Sequence, residues 1–187
     1  NASATVLSGL ASNSISIGAN SDADDGSVAI GYTAQAENQR SVAVGYEANL
    51  NDYAYAVAVG DNATVNGSSG VAIGRLTDAP ANGVALGSVA QALASGCIAI
   101  GPNAESGTGN SIAIGGSSGN VHRAYGTGVI CIGRGSRTTN TASAVGTTDY
   151  AIALGYDANA RCDSGFNAAY SIAIGYSAST YQASTST

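Results

Sequence analysis

The hydrophobic positions of this chain fall into one short phrase, large–small–large–glycine, that returns roughly every 14 residues. It reads Val28-Ala29-Ile30-Gly31, Val42-Ala43-Val44-Gly45, Val57-Ala58-Val59-Gly60, Val71-Ala72-Ile73-Gly74 and Val84-Ala85-Leu86-Gly87. It continues as Ile98-Ala99-Ile100-Gly101, Ile112-Ala113-Ile114-Gly115, Ile130-Cys131-Ile132-Gly133, Ile152-Ala153-Leu154-Gly155 and Ile172-Ala173-Ile174-Gly175. Weaker copies end at Gly18 and Gly146. Alternation with period two predicts a short strand in each copy, with Val28 and Ile30 on one side and Ala29 on the other. The glycine then permits a turn that a Cβ would resist. A second, smaller pattern follows in Ala34-Gln35-Ala36, Ala48-Asn49-Leu50, Ala63-Thr64-Val65, Ala90-Gln91-Ala92 and Ala158-Asn159-Ala160, and predicts a second strand. Polar residues such as Glu37-Asn38-Gln39-Arg40 lead into the next copy.

Two strands and two turns make one flattened coil. No such coil can hide its apolar face alone, so the coils must stack. The expected fold is all-β: a parallel solenoid of about 12 coils, each strand pairing with its equivalents above and below. The large residues of the first strand are expected to fill the interior opposite the small residues of the second. On that placement the middle residues face outward: Ala29, Ala43, Ala58, Ala72, Ala85, Ala99, Ala113, Cys131, Ala153 and Ala173. A solvent-facing strand position usually carries Thr or a charge. Either alanine is merely tolerated there, or another chain packs closely against it. The second alternative makes this column a subunit interface between copies of the chain.

Composition narrows the function. Of 187 residues, 26 are glycine; Lys, Met and Trp are absent, and the net charge is −6. An acidic chain without lysine is poorly suited to nucleic acid, where phosphate neutralisation needs clustered cations. No apolar run approaches the roughly 20 residues of a membrane helix, and no signal peptide is visible. Cys97, Cys131 and Cys162 form neither a disulfide framework nor a CxxC metal site. Cys97 and Cys131 fall in coils two apart, beyond bridging distance, so free thiols are expected. With one histidine, no lysine and no legible triad, carboxylate pair or phosphate loop, the chain is not expected to be an enzyme, and no cofactor or metal is expected. The acidic residues Asp22, Asp24 and Asp25 lack the repeated calcium-binding pattern of another roll class.

The phrase Ser27-Val28-Ala29-Ile30-Gly31 with Ala34 and Ala36, repeated from Ser41 to Leu50, resembles the YadA-like head repeat of trimeric autotransporter adhesins. The resemblance runs over residues 14–180, leaving 1–13 as a lead-in and 181–187 as the tail of a longer chain. It implies a left-handed parallel β-roll, assembled as a parallel homotrimer. It also implies an adhesin head that attaches to a host-surface protein or glycan. The implied location is the bacterial surface, with outer-membrane anchoring through another part of the protein and no membrane insertion by this one. The same roll is implied for bacteriophage fibres. Three unpaired cysteines suit a fibre built in a reducing cytosol, so a virion tail or head fibre is the alternative.

The repeat breaks in two places. Between Gly115 and Gly133 the copy is longer, and residues 116–128 are expected to form an inserted loop. Asn120, His122, Arg123 and Tyr125 are its candidate receptor-binding residues, against a plain solvated bulge. Between Gly155 and Gly175 a longer copy holds Arg161, Cys162 and Phe166, the last expected to plug the roll. Tyrosine follows the turn glycine at Tyr32, Tyr46, Tyr156 and Tyr176, with Tyr53 and Tyr55 nearby. Such residues suit recognition of sugars and proteins, or simply fill strand edges. Two rivals fit poorly. An ice-binding solenoid needs an aligned threonine array, and Thr33, Thr64, Thr77 and Thr108 share no register. A glycan-cleaving β-helix needs paired acids in a cleft, and the pattern supplies none.

Overall fold

A computed structural model describes residues 13–116, 122–138, 149–162 and 170–182, with 161, 162, 181 and 182 described as backbone. The chain is a parallel β-solenoid that divides into two compact units, Asn1–Ala90 and Gln91–Thr187. Among the described residues no helix is long and apolar enough to cross a membrane.

In the first unit the strands are β1 (Ile15–Ile17), β2 (Asp22–Ala23), β3 (Val28–Ile30), β4 (Gln35–Ala36) and β5 (Val42–Val44). They continue as β6 (Val57–Val59), β7 (Thr64–Asn66), β8 (Val71–Ile73), β9 (Asp78–Pro80) and β10 (Val84–Leu86). The repeated phrase supplies one sheet, in the order β1-β3-β5-β6-β8-β10. Its register is strict: Val28 faces Val42, then Val57, then Val71. The second strands pair β2 with β4 and β7 with β9, and Asn49 bridges Gln35 to Thr64.

The second unit holds β11 (Gln91–Ala92), β12 (Ile98–Ile100), β13 (Ala104–Ser106), β14 (Ile112–Ile114), β15 (His122–Ala124) and β16 (Ile130–Ile132). It continues with β17 (Arg137–Thr138), β18 (Ile152–Leu154), β19 (Asn159–Cys162), β20 (Ile172–Ile174) and β21 (Ser179–Gln182). One sheet runs β12-β14-β16-β18-β20 and the other β11-β13-β15-β17-β19-β21. Cys131 pairs directly with Ala153. The phrase ending at Gly146 lies outside the described residues. Cys97 and Cys131 are both buried free thiols.

The alanine column is inside the roll, which corrects its expected orientation. Ala29, Ala43, Ala58, Ala72, Ala85, Ala99, Ala113, Cys131 and Ala153 are fully buried within the single chain, and Ala173 nearly so. They leave no surface for a neighbouring subunit to cover. The physical reason is thickness. Both strands of a coil send small side chains inward, Ala29 against the wall that carries Ala34 and Ala36. An interior that narrow has no room for two facing rows of Val and Ile, so those rows turn outward.

Larger inward residues occur where the facing position gives way. Val65 is fully buried. A Cβ on Gly70 would stand 2.7 Å from its Cγ1, so the glycine makes the space. Ser106 and Ser111 instead close the gap with a 2.6 Å hydrogen bond between hydroxyls. The turn glycines serve the stacking itself. Gly31 has φ +140°, and a Cβ there would collide with the carbonyl oxygen of Gly45 in the next coil. The following turn positions are left-handed even without glycine, as at Asn20, Thr33, Glu47, Asn62, Leu76 and Val89.

Candidate interaction surfaces

Because the interior takes the small residues, function falls to the outward rows. The first is apolar. Ile30, Ile73, Leu86, Leu154, Ile172 and Ile174 are exposed, Ile174 by 63%. In each unit they stand in register with other Val and Ile residues, so an aliphatic stripe runs from coil to coil. Contiguous exposed apolar surface of this kind marks a contact site.

The second row is aromatic and lies on the turns. Tyr32 stacks on Tyr46, with ring centroids 5.3 Å apart. Tyr156 stacks on Tyr176 at 5.3 Å, and Arg134 lies 5.7 Å from the Tyr156 ring centroid. Tyr150 and Tyr170 form a third stack at 5.5 Å. Arg40 lies 6.0 Å from the Tyr55 ring centroid. These rings meet because equivalent residues of adjacent coils are about 4.8 Å apart, close to stacking distance.

The third row is the outward face of the second strands, and its chemistry differs between the units. In the first unit it is acidic and amide-rich. Asn49 donates to Gln35 at 2.8 Å, Asn51 to Asn66 at 2.7 Å and Asn66 to Asp78 at 2.6 Å. Gln35, Glu37, Asn49, Asn51 and Asp52 line a polar pocket of about 110 Å³. Burial, followed by the hydrogen bond and charge of Asp52, raises the Glu37 carboxyl above its ordinary pKa. Burial also raises Asp78, against the opposing hydrogen bond from Asn66. No group of three or more His, Cys, Asp or Glu side chains converges as a metal site among the described residues.

In the second unit the same face carries cations. Arg123 on β15 pairs in register with Glu105 on one side and Arg137 on the other. Its Nε donates to Glu105 Oε2 at 3.0 Å, and its guanidinium lies 6.0 Å from the Tyr125 ring centroid. The Tyr125 hydroxyl donates to Glu105 Oε1. Burial, then the Glu105 contact, pushes that phenol up to about 12. A Cβ on Gly107 would stand 2.6 Å from the Tyr125 ring, so the glycine lets the ring lie flat across the coil.

The expected loop over residues 116–128 is corrected at its C-terminal part. His122, Arg123 and Tyr125 belong to a regular rung, with β15 paired to β13 and β17. Strand alternation decides their fates. His122 points inward and is fully buried, whereas Arg123 and Tyr125 point outward. A buried imidazole cannot meet a receptor on the folded surface. Asn120 lies outside the described residues, as do Phe166 and the side chains of Arg161 and Cys162. The sequence did not single out Arg137 or Glu105; the column becomes visible only once β13, β15 and β17 are set in register.

The YadA head domain repeat model matches residues 25–48, 54–77, 81–104, 98–118 and 149–178. The chain belongs to the YadA head domain repeat family. Its matched segments hold the glycine turns and the inward alanines, so the family pattern and the stacking geometry coincide. The arginine column on β15 and β17 falls between the matched segments 98–118 and 149–178. No curated protein matches the chain.

Proposed function

We propose that this chain is a trimeric, non-catalytic adhesin head that attaches to a host or extracellular surface. The observation that supports it most is the aliphatic stripe. Small residues fill the roll, and rows such as Ile73 and Leu86 are left on the outside, each more than a third exposed in a single chain. Covering the exposed third or so of such side chains contributes about 0.5–1 kcal/mol each, a sizeable driving force when repeated along the coils. Copies of the chain side by side would supply the cover, and a trimer is the assembly the family resemblance implies. The polar and aromatic rows would then face the medium at the surface of a bacterium.

Sedimentation of the purified chain tests the assembly, and binding of coated beads to host cells tests the attachment. A stable monomer, or a trimer that binds no cell, would defeat the corresponding half. A second reading, a segment of a virion fibre, is favoured by one observation. Cys97 and Cys131 are buried unpaired thiols, which suits assembly in a reducing compartment. Sequencing the genes on either side separates the two.

A further inference from the structure

We propose that the outward face of β15 and β17 binds an anionic polysaccharide through Arg123 and Arg137, with Tyr125 alongside. The inference rests on the adhesin reading and names the class of partner for one surface.

The charge distribution is the first support. No Asp or Glu occurs between Glu105 and Asp149, whereas Arg123, Arg134 and Arg137 all fall in that interval. In a chain of net charge −6 without lysine, this is a local reversal of sign. The fold then concentrates it. Arg123 and Arg137 are register partners on adjacent strands, so their Cα atoms stand about 4.8 Å apart. Glu105 engages Arg123 and the Tyr125 hydroxyl. Arg137 has no ion pair among the described residues, so this column keeps an excess of positive charge.

The ligand class follows from what the surface offers and withholds. Guanidinium groups match carboxylate and sulfate oxygens through paired donors. The Tyr125 ring beside Arg123 offers a flat apolar face next to a cation, which suits a sugar ring bearing an acidic substituent. An acidic peptide would gain most by adding a strand, but β15 is paired on both sides and has no free edge. A nucleic acid would need many more cations than this face holds.

The test uses the intact chain on immobilised heparin, hyaluronan and neutral dextran, at low and physiological salt. The variants are Arg137→Gln, the double Arg123→Gln/Arg137→Gln, and a charge-matched control, Arg40→Gln/Arg75→Gln. Wild type should be retained on heparin and not on dextran. Arg137→Gln should weaken retention about tenfold, and the double variant should abolish it. The control should stay within about twofold of wild type. Retention on hyaluronan as well would show that carboxylate suffices; retention on heparin alone would show that sulfate is needed. Arg137→Gln removes no ion pair seen in the structure, so it remains informative if the double variant misfolds. Equal loss in the control, equal retention on dextran, or capture by polyglutamate but not by polysaccharide would overturn the proposal. Cell attachment separates it from the reading beneath it. Attachment unchanged in Arg137→Gln sinks the patch and spares the adhesin, whereas wild type that never attaches sinks the adhesin.

Discussion

His122 Nδ1 lies 3.2 Å from Ser136 Oγ, and both side chains are sealed inside the second unit. The opposite ring nitrogen, Nε2, has no hydrogen-bond partner among the described residues. Burial lowers the imidazole pKa below its ordinary 6.5, against weaker support for the charged form from backbone groups of Cys131 and Ser136. The unfolded chain therefore takes up a proton near 6.5 while the folded chain resists. Stability should be flat above that pH and decline as pH falls below it, by at most about 1.4 kcal/mol per pH unit from this group. Urea unfolding from pH 7.5 to 5 should show the decline in wild type. In His122→Ala, whose side chain matches the neighbouring Ala104, the decline should shrink. An identical profile in both proteins would show that His122 is not its source.

Inward and outward positions of one strand should respond to the same substitution in opposite ways. Ala72 is fully buried while its neighbour Ile73 is exposed. Ala72→Glu forces a carboxylate into an interior with no partner for it and should cost several kcal/mol, leaving little soluble protein. Ile73→Glu leaves the coil intact and should weaken association of copies instead. Circular dichroism and sedimentation together read the difference. A folded, fully associated Ala72→Glu protein would contradict the alanine-filled interior.

The turns should show both a forbidden and a welcome substitution. Gly45 has φ +140°, and a Cβ there would run into the carbonyl of Gly60, so Gly45→Ala should lower stability by more than about 1 kcal/mol. Val89 is a β-branched residue at φ 60°, a conformation occupied by asparagine at Asn20, Asn62 and Asn103. Val89→Asn should raise stability by roughly 0.5–1 kcal/mol. Thermal melts of the two variants would be expected to move in opposite directions.

The buried thiols should be inert. Burial pushes the Cys131 thiol up to about 11, against weaker hydrogen bonds from Thr138. Cys97 is equally sealed, with its thiol donating to the Thr108 carbonyl at 2.8 Å. In a Cys162→Ser protein, iodoacetamide at pH 8 should label neither residue until denaturant is added. Rapid labelling of the native protein would show that the coils open locally.

The period of the phrase made the strands, the turn glycines and the parallel stacking legible, because each is fixed by residues within one repeat. The side that faced inward was not legible. Alternation separates Ala29 from Val28 and Ile30 but does not assign a direction, and the usual rule of large residues inside fails when two strands lie this close. The same ambiguity displaced the candidate site. His122 looked like a loop residue because the copy was long, yet β15 keeps its register and turns the ring inward. Arg137 carried no local mark at all; its meaning comes from standing beside Arg123, a relation between coils that spacing along the chain conceals.

The register that sets Glu105, Arg123 and Arg137 in one outward file has an evolutionary consequence. The strands beneath that file are held from inside by Ala104, Ser106, His122, Ala124 and Thr138, all of them buried. A new residue in the file therefore changes what the molecule touches without reopening the question of how it folds. The outer text of this chain can thus be rewritten one rung at a time while the inward residues keep the register beneath it.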